Sequence, residues 1–159
     1  MAGTLLALAI PGLLHAQGAA EGAALRLELE SATWSARAAA QAGDFEAFMR
    51  VYEPAKGRTL VREQWPAARE VILAELARPP GAGFLRAVRK GWWAGYYFRE
   101  EDAVGASVTM HRYHMGPLGW QVRGETVSEP FAKGATPAES VANARREIDS
   151  NPAFALPDQ

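Results

Sequence analysis

At 159 residues, with 48% hydrophobic and 22% charged residues, the chain fits one domain able to bury roughly two-thirds of its unfolded surface, and this composition excludes an intrinsically disordered protein. The formal net charge of -1, with mostly arginine basic residues dispersed along the chain, speaks against a nucleic-acid partner, which calls for a strong basic excess. The absence of cysteine removes thiol catalysis, disulfides and cysteine-ligated zinc.

In chain order, the first feature is MAGTLLALAIPGLLHAQGAAEG, mostly apolar from Thr4 to Ala16. It falls short of the about twenty residues a membrane-spanning helix needs, and Pro11-Gly12 interrupts it. It reads as the apolar region of a secretory signal cut near Ala16 or after Ala20, although no basic residue precedes Arg26. The expected organisation is a signal peptide at 1–20, an α+β domain at 21–135, and a C-terminal helix and tail at 136–159. The protein is then periplasmic or secreted, with no membrane span once the signal is removed.

Ala24 to Glu30, ALRLELE, alternates with period two yet runs into an alanine-rich stretch. A helix is expected from about Leu25 or Ser31 to Ala42, with Trp34 as its largest apolar anchor and Gly43 as its stop. Asp44 caps a second helix, whose Phe45, Phe48, Met49 and Tyr52 form one apolar stripe ended by Pro54. A third helical region follows in TLVREQWPAAREVILAELAR, with Pro66 tolerated in a first turn. After PPGAG (Pro79 to Gly83) the period changes. FLRAVRKG, WWAGYYFRE, AVGASVTMHRYH and WQVRGETV are rich in aromatic and β-branched residues and short enough for strands. Thr136, Pro137 and Glu139 open a last helix to about Asp149, and NPAFALPDQ reads as a tail. Helices first and strands later predict an α+β fold: N-terminal helices on a curved antiparallel four-stranded sheet, cone-like, plus a C-terminal helix.

QAGDFEAFMRVYEP (Gln41 to Pro54), VRKGWWAGYYFRE (Val88 to Glu100) and MHRYHMGPLGWQV (Met110 to Val122) resemble segments of the nuclear transport factor 2-like superfamily, the cone-shaped fold of ketosteroid isomerases and polyketide cyclases. The resemblance covers about residues 25 to 128 and implies the fold. In the isomerase branch it implies a catalytic aspartate with a hydrogen-bonding tyrosine, a pair with no matching positions here. Glu53-Pro54 departs from the acidic residues usual after the family's second helix, and the last helix lies outside the common pattern.

His111 and His114, at i and i+3 of a strand, point to opposite faces and cannot share a metal. Val104, Ala106, Val108 and Met110 form the apolar face, and the same parity continues to Arg112 and His114. Ser107, Thr109, His111 and Tyr113 face solvent or a partner. For the hairpin, a loop of five residues is expected, pairing His114 with Trp120, Arg112 with Val122 and Val108 with Thr126, because it unites Met110 with Trp120 on one buried face. Trp92, Ala94, Tyr96 and Phe98 alternate with Trp93, Gly95, Tyr97 and Arg99, so one aromatic set must meet the last helix or a neighbouring subunit.

The candidate site is a pocket lined by Tyr52, Tyr96, Met110 and Trp120, with Arg112 and His114 as its polar groups. These residues also read as ordinary core and rim. His114 is either a rim histidine or a general acid or base assisted by Arg112 and Tyr96; Arg112 either orients a carboxylate ligand or is a strand-end arginine paired with Glu125 or solvent. Asp44 reads as a cap, and the Arg99 to Asp102 run lacks the ligand spacing of a calcium loop. No metal or other cofactor is expected. The function that follows is an exported domain binding a small apolar or amphipathic ligand or a protein partner, a second copy included. The alternative is an isomerase, cyclase or dehydratase.

Overall fold

A computed structural model describes residues 11–77 and 81–158, with backbone alone for 11–20. The segment through Ile10 and the Arg78-Pro79-Pro80 step lie outside the described residues, so the structure leaves the signal reading where the sequence put it.

Helix α1 spans Pro11–Ala42 and stops at Gly43, whose φ of +72° suits a residue without a side chain. Its inward face is Leu29, Ala32, Ala36 and Ala40, all buried. Trp34 corrects the expectation. Two residues beyond Ala32 it is rotated about 200° away and lies 51% exposed, while the small alanines let the helix approach the sheet closely. The alternation in ALRLELE belongs to this helix, where Leu29 is buried and Leu27 is 67% exposed.

Asp44 caps α2 (Phe45–Val51) by accepting from the Ala47 N–H at 3.0 Å. The chain then becomes β1 (Tyr52–Glu53), a two-residue strand. A 3₁₀ turn at Arg62–Gln64 leads into α3 (Trp65–Glu75), which carries Pro66 in its first turn. The four expected strands are β2 (Phe84–Lys90), β3 (Trp93–Glu101), β4 (Ala106–Gly116) and β5 (Gly119–Pro130). Thr136 and Glu139 form a complete capping box at the start of α4 (Pro137–Ser150).

The sheet order is β1-β5-β4-β3-β2, antiparallel except where β1 runs parallel to β5. Its curl shows in the guanidinium of Arg89 on edge strand β2, which lies 5.4 Å from the Trp120 ring on β5. The sheet is therefore five-stranded and mixed, β1 being too short to announce itself in the sequence.

Both faces of this sheet are buried. On one, Ala94, Tyr96, Phe98, Tyr113, Trp120 and Val122 pack against α1, α2 and α3. On the other, Leu85, Tyr97, Val108 and Met110 pack against Ala144 and Ile148 of α4. The segment read as a tail completes that second layer: a 3₁₀ turn at Pro152–Phe154 leaves Phe154 2% and Leu156 8% exposed, and such burial contributes about 1.5–3 kcal/mol per side chain. The tyrosine hydroxyl of Tyr97 donates to the Phe154 carbonyl at 2.9 Å.

Two buried faces explain the main correction. The hairpin turns through Pro117 and Leu118, with Gly116 paired to Gly119, Met115 to Trp120 and Tyr113 to Val122. Met110 and Trp120 consequently lie on opposite faces, in different apolar clusters. A register that unites all apolar residues is favoured only when one face is buried; here each face has its own cover. The face expected to meet solvent is likewise closed, Thr109 being 6% and Tyr113 1% exposed.

Candidate functional site

The register distributes the sequence-derived site residues. Tyr52, Tyr96 and Trp120 share the face covered by the first three helices, and Met110 belongs to the opposite layer. Across β3 and β4, His114 pairs with Trp93 and Arg112 with Gly95, whereas His111 pairs with Tyr96. Arg112 and His114 are thus on the α4 side, across the sheet from Tyr96, and the two histidines point to opposite faces.

The polar atoms of Tyr96 and Trp120 are already committed. Tyr96 donates its hydroxyl hydrogen to Glu30 Oε1 at 2.7 Å and accepts from the Gly81 N–H at 2.8 Å. Arg26 Nε donates to the same carboxylate oxygen at 2.8 Å. Trp120 Nε1 donates to Glu28 Oε2 at 2.9 Å. Burial, then Glu30, holds the Tyr96 phenol above its ordinary pKa. This half of the interior is a hydrogen-bonded core, and the tyrosine stays neutral.

On the other face the chain builds a ladder of alternating charge. Arg112 Nη1 lies 3.9 Å from Glu125 Oε2. Arg123 reaches Glu125 at 3.4 Å and Glu53 at 2.5 Å, and Glu53 Oε2 lies 3.1 Å from His114 Nδ1. Arg123, 8% exposed, also lies over the Trp93 ring, which packs 4.8 Å from the imidazole of His114. Arg112 Nη2 also donates to the carbonyls of Ala153 at 3.4 Å and Ala155 at 3.3 Å, both shorter than its contact with Glu125. Its pairing with Glu125 was one of the two sequence readings. Glu125 is held below the ordinary carboxylate pKa first by the Lys56 N–H, which donates to it at 2.8 Å, and then by Arg123. The ladder ties β1, β4, β5 and the C-terminal segment together.

A different place remains open. Where β1 gives way to Pro54 and the loop before α3, a cleft of about 300 Å³ opens between that loop and the helix. Leu60, Val71 and Ile72 supply apolar walls, and Tyr52, Arg58 and Glu75 the polar groups. Tyr52 is 7% exposed. Its ring fits because Gly124 in β5 has no side chain: a Cβ there would lie 2.4 Å from the tyrosine oxygen. Burial and then Glu75 push the Tyr52 hydroxyl up to about 12, with Arg58 and Arg123 pulling the other way. Among the described residues the hydroxyl of Tyr52 and the side chains of Arg58 and Glu75 have no hydrogen-bond or ion-pair partner.

The second helix ends at Val51 and Tyr52 is the first residue of β1, but the sequence marked Tyr52 through the stripe expected on that helix. It gave no reason to single out Arg58 or Glu75, because both are exposed charges of ordinary spacing that only the fold brings to one cleft. A second groove of about 450 Å³ runs between α1 and β2, with Glu21, Glu28 and Arg89 among its lining residues. Among the described residues no His, Asp and Glu side chains gather in a group of three or more that could hold a metal ion. Nor is any described helix long and apolar enough to cross a membrane. With this geometry in hand, comparison adds no relative: no family model, curated protein or solved structure matches the chain.

Proposed function

We propose that the protein is an exported domain that binds a small amphipathic ligand in the Tyr52 cleft. The observation that carries this reading is a concave apolar wall with the unpartnered hydroxyl of a nearly buried tyrosine at its base, since pockets of this composition are where small molecules gain both burial and orientation. The volume suits a molecule smaller than a typical drug. Export rests on the apolar Thr4 to Ala16 stretch and the small residues that follow it, and the cone-type relationship rests on the three quoted motifs.

Binding is favoured over acid–base catalysis because the three groups of the catalytic reading are divided by the sheet, Tyr96 on one side and Arg112 and His114 on the other. Nuclear magnetic resonance mapping of a small set of short-chain amphiphiles tests the proposal. Signals of Val71, Ile72 and Gly124 are expected to shift, and Ala68→Trp, which fills the cleft from α3, is expected to abolish the shifts with the fold intact. Shifts confined to the surroundings of Glu28 and Arg89 would move the site to the other groove and overturn the reading.

A further inference from the structure

We infer that the ligand of the Tyr52 cleft is a zwitterion with a short branched apolar body, the chemical class of a free hydrophobic amino acid. The inference rests on the cleft being the ligand site and names what that site selects.

Three facts converge. The cleft presents one guanidinium, from Arg58, and one carboxylate, from Glu75, and neither side chain has a partner among the described residues. Both charges act on the Tyr52 hydroxyl, the carboxylate and the guanidinium in opposite senses, so both lie within electrostatic reach of the cleft base. That hydroxyl, on a residue 93% buried, also has no partner.

A ligand with an anionic group alone would satisfy Arg58 and face Glu75 as a like charge; a cation alone would do the reverse. Only a molecule with both completes two charge-assisted hydrogen bonds, the stronger kind, and leaves neither side chain repelled. The walls of Leu60, Val71 and Ile72 are aliphatic, and a branched aliphatic body fills such a space better than a flat ring or a long chain.

Three probes with the same isobutyl group separate the possibilities: L-leucine carries both charges, isocaproate only the carboxylate and isoamylamine only the ammonium. Each is titrated into the full chain by calorimetry and by the Val71 and Ile72 methyl signals. Leucine is expected to bind about tenfold more tightly than either single-charge probe. Arg58→Gln should remove its advantage over isoamylamine, and Glu75→Gln its advantage over isocaproate; both sites are exposed, so the fold is retained. If a single-charge probe binds as well as leucine and Ala68→Trp abolishes it, the zwitterion inference falls and the cleft reading survives. If no probe moves the cleft methyls, both fall.

Discussion

Thr33 on α1 and Tyr113 on β4, 80 residues apart in sequence, meet oxygen to oxygen at 2.6 Å inside the core. Thr33 also donates to the Leu29 carbonyl at 3.1 Å, so the tyrosine is the donor in their mutual bond. The contact fixes helix to sheet, and its two ends are unequal. Thr33→Val strands a hydroxyl on a side chain 1% exposed and is expected to cost about 1–3 kcal/mol. Tyr113→Phe leaves Thr33 bonded within its helix and is expected to cost only about 0.5–1.5 kcal/mol. Urea denaturation of both variants checks the order; equal costs would contradict the assignment of donor and acceptor.

The second layer makes the C-terminal segment part of the core. Phe154, 2% exposed, packs edge-on 6.1 Å from Tyr97 and sits among Met110, Ala144 and Ile148. Phe154→Ala is expected to lower unfolding free energy by about 3–5 kcal/mol, as for a large side chain removed from a packed interior. A loss below about 1 kcal/mol would mean that the segment does not cover the sheet in solution.

The charge ladder should behave as a structural tie. Glu53→Gln removes one of the two carboxylates that neutralise the nearly buried Arg123, and a cost of about 1–3 kcal/mol is expected. Arg123→Met should be milder than the Glu53→Gln, Glu125→Gln double variant, because each glutamate is about one-third exposed and can take up water, whereas the guanidinium cannot. Thermal denaturation of the set gives the ranking, and the reverse order would contradict the ladder.

All four tyrosines have phenols raised by burial, Tyr52 to about 12. A group whose folded pKa exceeds its unfolded value stabilises the fold fully below the unfolded value, about 10, and that stability is lost as pH rises through the folded value. Native protein should therefore show less phenolate absorbance at pH 10–11 than the unfolded chain, and ionisation of Tyr52 should arrive together with loss of structure as pH approaches its value. Gradual ionisation of the tyrosines in folded protein near pH 10 would contradict their burial.

The sequence made the elements legible where local chemistry decides them. Asp44 and Thr136 start helices, Gly43 stops one, and the runs from Phe84 onward alternate as strands do. Register was a different matter. Alternation in β4 puts Val108 and Met110 on one parity and Thr109, His111 and Tyr113 on the other, but it cannot say that both parities are covered. The aromatic residues on both faces of β3 were the available sign, and they fit a second layer of α4 with Phe154 and Leu156. Those two residues were illegible because a 3₁₀ turn of one step has no periodicity. Of the candidate site, Tyr52 was visible as the last residue of the apolar stripe that begins on α2 and runs into β1. Its partners in the cleft come from a loop and the end of α3, a proximity that only tertiary folding creates.

The most direct test of the cleft is to look for intermolecular nuclear Overhauser effects with L-leucine bound to the full chain. Contacts from the leucine methyls to Ile72 and Val71, and from its α-proton to the Tyr52 ring, are the predicted result. Contacts to the Trp120 indole or to Ala87, with none to Tyr52, would show that the ligand chooses another surface and that the proposed cleft is not the site.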